Sequence, residues 1–78
     1  MTTLEKVKQA LAEQLDLDAD EIRDDMDIME ELGADSLDLV ELLTTMESEY
    51  GFVLILDENT GSIRSVRDVA AFIDAQLR

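Results

Sequence analysis

The fold and the chemistry of this chain are both set by the stretch ELGADSLDLVELL, residues 31–43. A glycine and an alanine lead into Asp35 and Ser36, and leucines at helical spacing follow them. Aspartate and serine are both favoured at the position that caps a helix, so either Asp35 or Ser36 is predicted to begin one here. If Asp35 is the cap, Ser36 becomes the first helical residue and its hydroxyl is free to point outward. A serine displayed in this way looks like a nucleophile and would need a base to activate it.

The composition lacks the usual general base, histidine. The 78 residues, which we interpret as one domain spanning 1–78, contain no cysteine and no histidine. Disulfides, zinc–thiolate sites and histidine general bases are therefore impossible. Lys6 and Lys8 are the only lysines and no motif connects them to Ser36, while the nucleophile pattern G-x-S-x-G is not met. Ser36 is predicted to be modified by another enzyme and not to catalyse a reaction, so the chain is not expected to be an enzyme.

The charge balance restricts the partners. Twenty acidic residues against six basic ones give a formal net charge of −14. Such a chain repels nucleic acid and anionic membranes, so its partners are expected to present basic patches. We find no signal peptide and no apolar run that would span a bilayer, which leads us to expect a cytoplasmic protein without membrane insertion.

Hydrophobic spacing predicts an all-α fold. Residues 3–15 and 36–50 have helical periods, with a capping box at Thr2 and Glu5 before the first, and a third long helix is expected from Ser65. The acid-rich residues 16–35 form a long loop between helices one and two. A short helical turn near Asp57–Thr60 completes the prediction of a small four-helix bundle with three long helices and one short.

The expected core residues lie along the long helices and in the loop. In the loop they are Ile22, Met26, Ile28 and Leu32; in the second helix Leu39, Leu42, Leu43, Met46 and Tyr50; in the last helix Val66, Val69, Ala70, Ile73 and Leu77. A separate row, formed by Leu37, Val40 and Thr44, borders acids on the second helix.

One apparent metal motif fails. Asp16, Asp18 and Asp20 have the spacing of a calcium loop, but Glu21 occupies the position that requires glycine and Asp27 stands where a bidentate glutamate belongs. No metal site is predicted.

The run LGADSLD, residues 32–38, resembles the modification site of acyl carrier proteins, and the similarity extends over nearly the whole chain. The resemblance implies that Ser36 carries 4′-phosphopantetheine, attached by a separate Mg²⁺-dependent transferase. The terminal thiol of that group would hold acyl intermediates as thioesters, in fatty acid or related specialised lipid or polyketide biosynthesis. The phosphopantetheine group would then supply the working thiol, which would account for the absence of cysteine from the chain.

The same resemblance implies roles for other residues. The partner-binding face would comprise Asp35, Leu37, Asp38, Val40, Glu41 and Glu47. The acyl pocket would be formed by Leu39, Leu42, Leu43 and Met46. Partners would be holo-carrier synthases, ketosynthases, acyltransferases and reductases with basic patches, and the protein would be a free-standing monomer.

Three alternatives to an ordinary carrier of fatty acid synthesis remain open. The stretch FVLILDENTGSIRS, residues 52–65, is more apolar than is usual in acyl carriers and lacks proline, and Thr44 replaces what is often a larger apolar residue. The chain could therefore be a specialised carrier that serves one pathway. A peptidyl or aryl carrier would share the serine and the fold, although such carriers usually have fewer acids around the second helix. A protein of another class, an unmodified acidic binding module, would share the charge but would not be loaded at Ser36.

Overall fold

The computed structural model describes residues 2–51 and 63–77, and this part of the chain contains three α-helices and no β-strand. Helix α1 spans Thr3–Leu15, α2 spans Ser36–Tyr50 and α3 spans Val66–Leu77. A single 3₁₀ turn, Ala19–Glu21, interrupts the long loop between α1 and α2. The predicted all-α class is confirmed with three α-helices in the described residues. The predicted short fourth helix near residues 57–60 lies outside them.

Local side-chain signals explain where α1 begins and ends. The Thr2 hydroxyl accepts a hydrogen bond from the Glu5 amide at 3.1 Å, and the Glu5 carboxylate accepts one from the Thr2 amide at 3.2 Å. This confirms the predicted capping box. The hydrogen bonds from the Thr2 backbone and side chain hold the pKa of Glu5 below its ordinary value. At the other end Asp16 adopts the left-handed conformation, with φ 58°, and its amide donates to the Ala12 carbonyl.

Helix α3 begins with reciprocal capping hydrogen bonds of the same kind. The Ser65 hydroxyl accepts from the Asp68 amide at 3.1 Å. The Asp68 carboxylate accepts from the amides of Ser65 and Arg64, both at 3.1 Å. These backbone hydrogen bonds, with that from Ser65 the largest cause, lower the pKa of Asp68. Ser65 and Asp68 therefore form a capping box at the start of α3.

One continuous apolar core joins the three helices and the long loop. Helix α1 packs against both α2 and α3, and the buried side chains come from every helix. The fully buried larger residues are Val7, Leu11, Ile28, Leu42, Leu43, Met46, Val66, Val69 and Ile73. One core assignment was wrong: Leu77 is 48 % exposed. It is the last residue of α3, where the side chain is only partly covered by the rest of the protein.

Backbone hydrogen bonds fasten the long loop to the start of α3. The Ile28 amide donates to the Arg64 carbonyl at 2.8 Å and the Val66 amide to the Met26 carbonyl at 3.1 Å, around an antiparallel bridge between residues 27 and 65. An ion pair between Lys8 and Asp24 connects the loop to α1. Ile22 and Ile28 are buried in the core, and Met26 and Leu32 pack against it, as predicted. The loop is therefore held in place on both sides before it reaches Ser36.

Candidate functional site

The turn before Ser36 is fixed by its own backbone. The Leu32 amide donates to the Asp27 carbonyl at 3.2 Å, and the Ala34 amide donates to the Ile28 carbonyl at 3.1 Å. Ala34 is buried, and Gly33 has φ 76°, a conformation that L-residues rarely adopt. Apart from Gly33 and its two chain neighbours, no atom of the described residues lies within 4 Å of the place where a Cβ on Gly33 would be. Backbone conformation, not lack of space, therefore requires glycine in this turn.

Asp35 caps α2, which settles the choice between Asp35 and Ser36. Its carboxylate accepts from the Asp38 amide at 2.9 Å, and the Asp38 carboxylate accepts from the Asp35 amide at 3.1 Å. Ser36 is the first residue of the helix and is exposed. Its hydroxyl makes no hydrogen bond with any other described residue. The site thus presents a hydroxyl that nothing in the described structure holds or activates.

The first turn of α2 contains backbone amides that are not used in hydrogen bonds within the described residues. The amides of Ser36 and Leu37 have no backbone acceptor within the described residues, as is usual in the first turn of a helix. They lie at the positive end of the helix dipole, where an anionic group is stabilised. The carboxylates of Asp35 and Asp38 oppose such a group. Both are occupied in capping, and a phosphate ester on Ser36 would still have free backbone donors beside it.

The predicted partner-binding residues occupy an exposed surface that starts at this turn. Leu37 is 63 % exposed and Val40 is 49 % exposed, which is unusual for large apolar side chains on a helix whose other face is buried. Asp35 and Glu41 are also exposed, whereas Asp38 and Glu47 are half-buried. The structure brings five of these residues together within about two turns at the start of α2: Asp35, Leu37, Asp38, Val40 and Glu41. Glu47 lies further along the helix. Their role in binding partners stays a prediction.

The predicted acyl-pocket residues lie on the opposite side of α2. Leu39, Leu42, Leu43 and Met46 are all buried and belong to the apolar core. They are packed side chains here, and their role in sheltering an acyl chain stays a prediction.

A residue that the sequence reasoning missed is Gln14. Its side-chain amide donates to the Asp38 carbonyl at 2.7 Å, and this partly buried hydrogen bond joins the end of α1 to the first turn of α2. A signal was present, because Gln14 follows Val7 and Leu11 along the inward stripe of α1, where a polar side chain needs a partner.

Within residues 2–51 and 63–77, no group of three or more carboxylates is arranged to hold a metal ion. None of the helices in the same residues is long and apolar enough to cross a bilayer.

Comparison with known proteins identifies the family. The family model described as the phosphopantetheine attachment site matches residues 5–73. An acyl carrier protein from Solidesulfovibrio magneticus is 46 % identical over 74 residues, which is 95 % of this chain and 94 % of the relative. The chain belongs to the acyl carrier protein family. An acyl carrier protein from Helicobacter hepaticus is 43 % identical over 75 residues, covering 96 % and 97 % of the two chains.

The fold agrees with this membership. A solved structure of a candidate acyl carrier protein from Mycobacterium tuberculosis superposes with a TM-score of 0.83 at 25 % identity, covering 96 % of this chain and 99 % of that one. The resemblance seen in residues 32–38 is therefore confirmed, and with it the phosphopantetheine group that the family binds. Acyl carrier proteins are carriers that interact with biosynthetic enzymes.

Proposed function

We propose that this acyl carrier protein holds acyl intermediates on a 4′-phosphopantetheine group attached to Ser36 and delivers them to enzymes of fatty acid or related biosynthesis. The observation that carries the proposal is Ser36 itself, which is exposed at the first position of α2 and whose hydroxyl has no hydrogen-bond partner among the described residues. Ser36 also lies inside the segment that the family model matches. We propose as well that residues 1–78 act as one domain and as a monomer.

The residues around Ser36 suit a phosphate ester. The amides of Ser36 and Leu37 are free to donate to its oxygens, and the dipole of α2 favours a negative charge there. The bound group would supply a thiol that holds acyl groups as thioesters, which this cysteine-free chain lacks. Asp35 and Asp38 keep the first turn of α2 in shape through their capping hydrogen bonds. Their charge explains why the loading enzyme would bring its own metal ion or cations.

The face of α2 beside Ser36 is the proposed docking surface. It combines two exposed apolar side chains, Leu37 and Val40, with the acids Asp35, Asp38 and Glu41, and Glu47 extends it down the helix. Apolar contact supplies affinity over a small area, and the acids attract basic enzymes from a distance. A carrier that visits holo-carrier synthases, ketosynthases, acyltransferases and reductases in turn needs fast association and fast release. Electrostatic attraction across a small surface provides both.

The core side of α2 is the proposed shelter for the acyl chain. The side chains of Leu39, Leu42, Leu43 and Met46 are closely packed, so an acyl chain could enter only if they rearranged. Burial of each methylene returns about 0.8 kcal/mol, so a chain of several carbons would offset a moderate cost of rearrangement.

Mass spectrometry tests the attachment. The apo protein is incubated with coenzyme A and a phosphopantetheinyl transferase that loads acyl carrier proteins, and the intact mass is measured. We expect a gain of one phosphopantetheinyl group, complete loss of the gain in Ser36→Ala, and full loading of the control Ser48→Ala, which alters another exposed serine of α2.

The outcome also separates the alternatives. A wild-type protein that gains nothing would favour an unmodified binding module and refute the proposal. Charging of the loaded protein with acyl-CoA supports an acyl carrier, whereas charging only with aminoacyl or aryl adenylates would indicate a peptidyl or aryl carrier.

A further inference from the structure

An open groove runs between α1 and α2, next to the proposed docking surface. Its volume is about 530 Å³. The residues that shape it come from both helices: Ala10, Glu13 and Gln14 on α1, and Val40, Glu41 and Thr44 on α2. Val40 and Glu41 belong to the proposed docking surface as well. The groove therefore continues that surface from α2 onto α1.

The groove is lined in part by small side chains, and a hydrogen bond joins the two helices at one end of it. Ala10 on α1 and Thr44 and Thr45 on α2 line it, and all three have small side chains. Gln14 ties α1 to the Asp38 carbonyl at the end nearer Ser36. The groove is thus held at a fixed position relative to Ser36.

The floor of the groove is suited to aliphatic contact. The hydroxyl of Thr44 donates to the Val40 carbonyl, and that of Thr45 to the Glu41 carbonyl, each at 3.0 Å. Both hydroxyl donors are thereby used within α2. With Ala10 and Val40 beside them, they leave a surface that an aliphatic stem can cover without stranding a donor.

The two rims of the groove carry negative charge. Glu13 on α1 and Glu41 on α2 are both exposed, and neither forms an ion pair with another described residue. Among the described residues that line the groove there is no lysine or arginine. The nearest cation on α1 in sequence, Lys8, pairs with Asp24 in the loop instead. Lys6 lines an adjoining cavity together with Glu13, but its ammonium group lies 4.7 Å above the ring of Tyr50 and forms no ion pair with Glu13. A cation from a partner can therefore pair with the carboxylates of both rims.

We propose that this groove receives an arginine side chain of the transferase that loads Ser36, an inference that rests on the proposed function. The aliphatic stem of arginine would pack on Ala10, Val40 and Thr44. Its planar guanidinium has five donors and is more weakly hydrated than an ammonium group, which suits it to a site with a carboxylate on each rim. The footprint of the transferase then includes α1, although no residue of α1 takes part in attachment.

Steady-state loading kinetics test the charge and the shape of the groove separately. Glu13→Gln removes the carboxylate from α1, and Thr44→Leu fills the groove without changing charge. We expect each to raise the KM for the apo protein about fivefold with kcat unchanged, in keeping with the loss of one docking contact. Added salt should raise the KM of Glu13→Gln less steeply than that of wild type, because one attracting charge is already gone. The KM of Thr44→Leu should depend on salt as that of wild type does.

Matched controls exclude general effects. Glu30→Gln removes an exposed carboxylate from the loop, and Ser48→Leu adds a leucine to the exposed side of α2, in both cases outside the groove. Both should keep the wild-type KM. If Glu13→Gln and Glu30→Gln raise the KM equally, only the net charge of the protein matters for loading, and the proposal is overturned.

The remaining outcomes separate this inference from the proposed function. If wild type is loaded and Ser36→Ala is not, unchanged KM values in Glu13→Gln and Thr44→Leu overturn the groove proposal alone. If wild type is not loaded, both the groove proposal and the proposed function are refuted. In a crystal structure of the complex with the transferase, an arginine between Glu13 and Glu41 is expected. A lysine, or a groove filled only by water, would refute the inference.

Discussion

Ile28 should be the main attachment of the long loop to the core. It is 2 % exposed, its amide donates to the Arg64 carbonyl, and its carbonyl accepts from the Ala34 amide in the turn before Ser36. Ile28→Ala removes three buried carbons while these backbone hydrogen bonds remain available. Truncations of this kind cost 2–5 kcal/mol, and we take about 3 kcal/mol for a site at the edge of a small core. In a domain of this length about 1 kcal/mol shifts Tm by about 4–8 °C, so a loss of about 12–24 °C is expected.

Thermal unfolding followed by circular dichroism, at one fixed ionic strength, measures the effect. Ile28→Val should lose about 1 kcal/mol, because one buried methyl group is removed. The control is Met29→Ala in the next residue, where the side chain is 40 % exposed and a change within about 0.5 kcal/mol is expected. A Tm of Ile28→Ala within about 4 °C of wild type, or equal to that of Met29→Ala, would show that the loop is not held by this side chain.

Three further outcomes follow from charges and exposure. The pKa of Asp68 is lowered from its ordinary value of 3.8, so its stabilisation of the folded state is present above about pH 4 and disappears as the pH falls through the folded-state pKa. Asp68→Asn should therefore lower Tm at about pH 7, with the difference from wild type shrinking below about pH 4; a difference independent of pH would contradict this assignment. Because the net charge is −14, added salt or millimolar Mg²⁺ should raise Tm by screening repulsion, and a melt insensitive to both would argue against that repulsion. Ser36→Ala should keep Tm within a few degrees of wild type, since the hydroxyl makes no hydrogen bond with a described residue, and a large loss would mean that Ser36 has a structural role.

The helix boundaries could be predicted because the signals for them are local. Each capping box joins residues three positions apart, as in Thr2 with Glu5 and Ser65 with Asp68, so the sequence alone contains both partners. Helical spacing in α2 similarly identified its buried face, since Leu39 through Met46 repeat with the period of the helix. The exposed Ser36 followed from the cap at Asp35.

Features that depend on distant parts of the chain could not be predicted in the same way. The bridge between the loop and α3 joins residues 27 and 65, and the hydrogen bond from Gln14 to Asp38 joins two helices. Helical spacing also assigned Leu77 to the core, because periodicity gives the face of a residue but not where the neighbouring helix stops covering it. The groove between α1 and α2 depends on the packing of both helices and has no signature in either one alone.

The use of the few basic residues explains how a strongly acidic surface can persist in a stable fold. Arg23 pairs with Asp25 and Glu31 within the long loop, and Lys6 lies 4.7 Å above the ring of Tyr50 at the far end of α2. These cations support the loop and the ends of the helices, and among the described residues none pairs with Glu41 on the proposed docking surface. An exposed ion pair contributes only about 0–1 kcal/mol, so leaving such an acid unpaired costs the fold little. The attraction of a basic partner, by contrast, sums over all the unpaired acids and acts before contact, so the same charges are worth more to association than to stability.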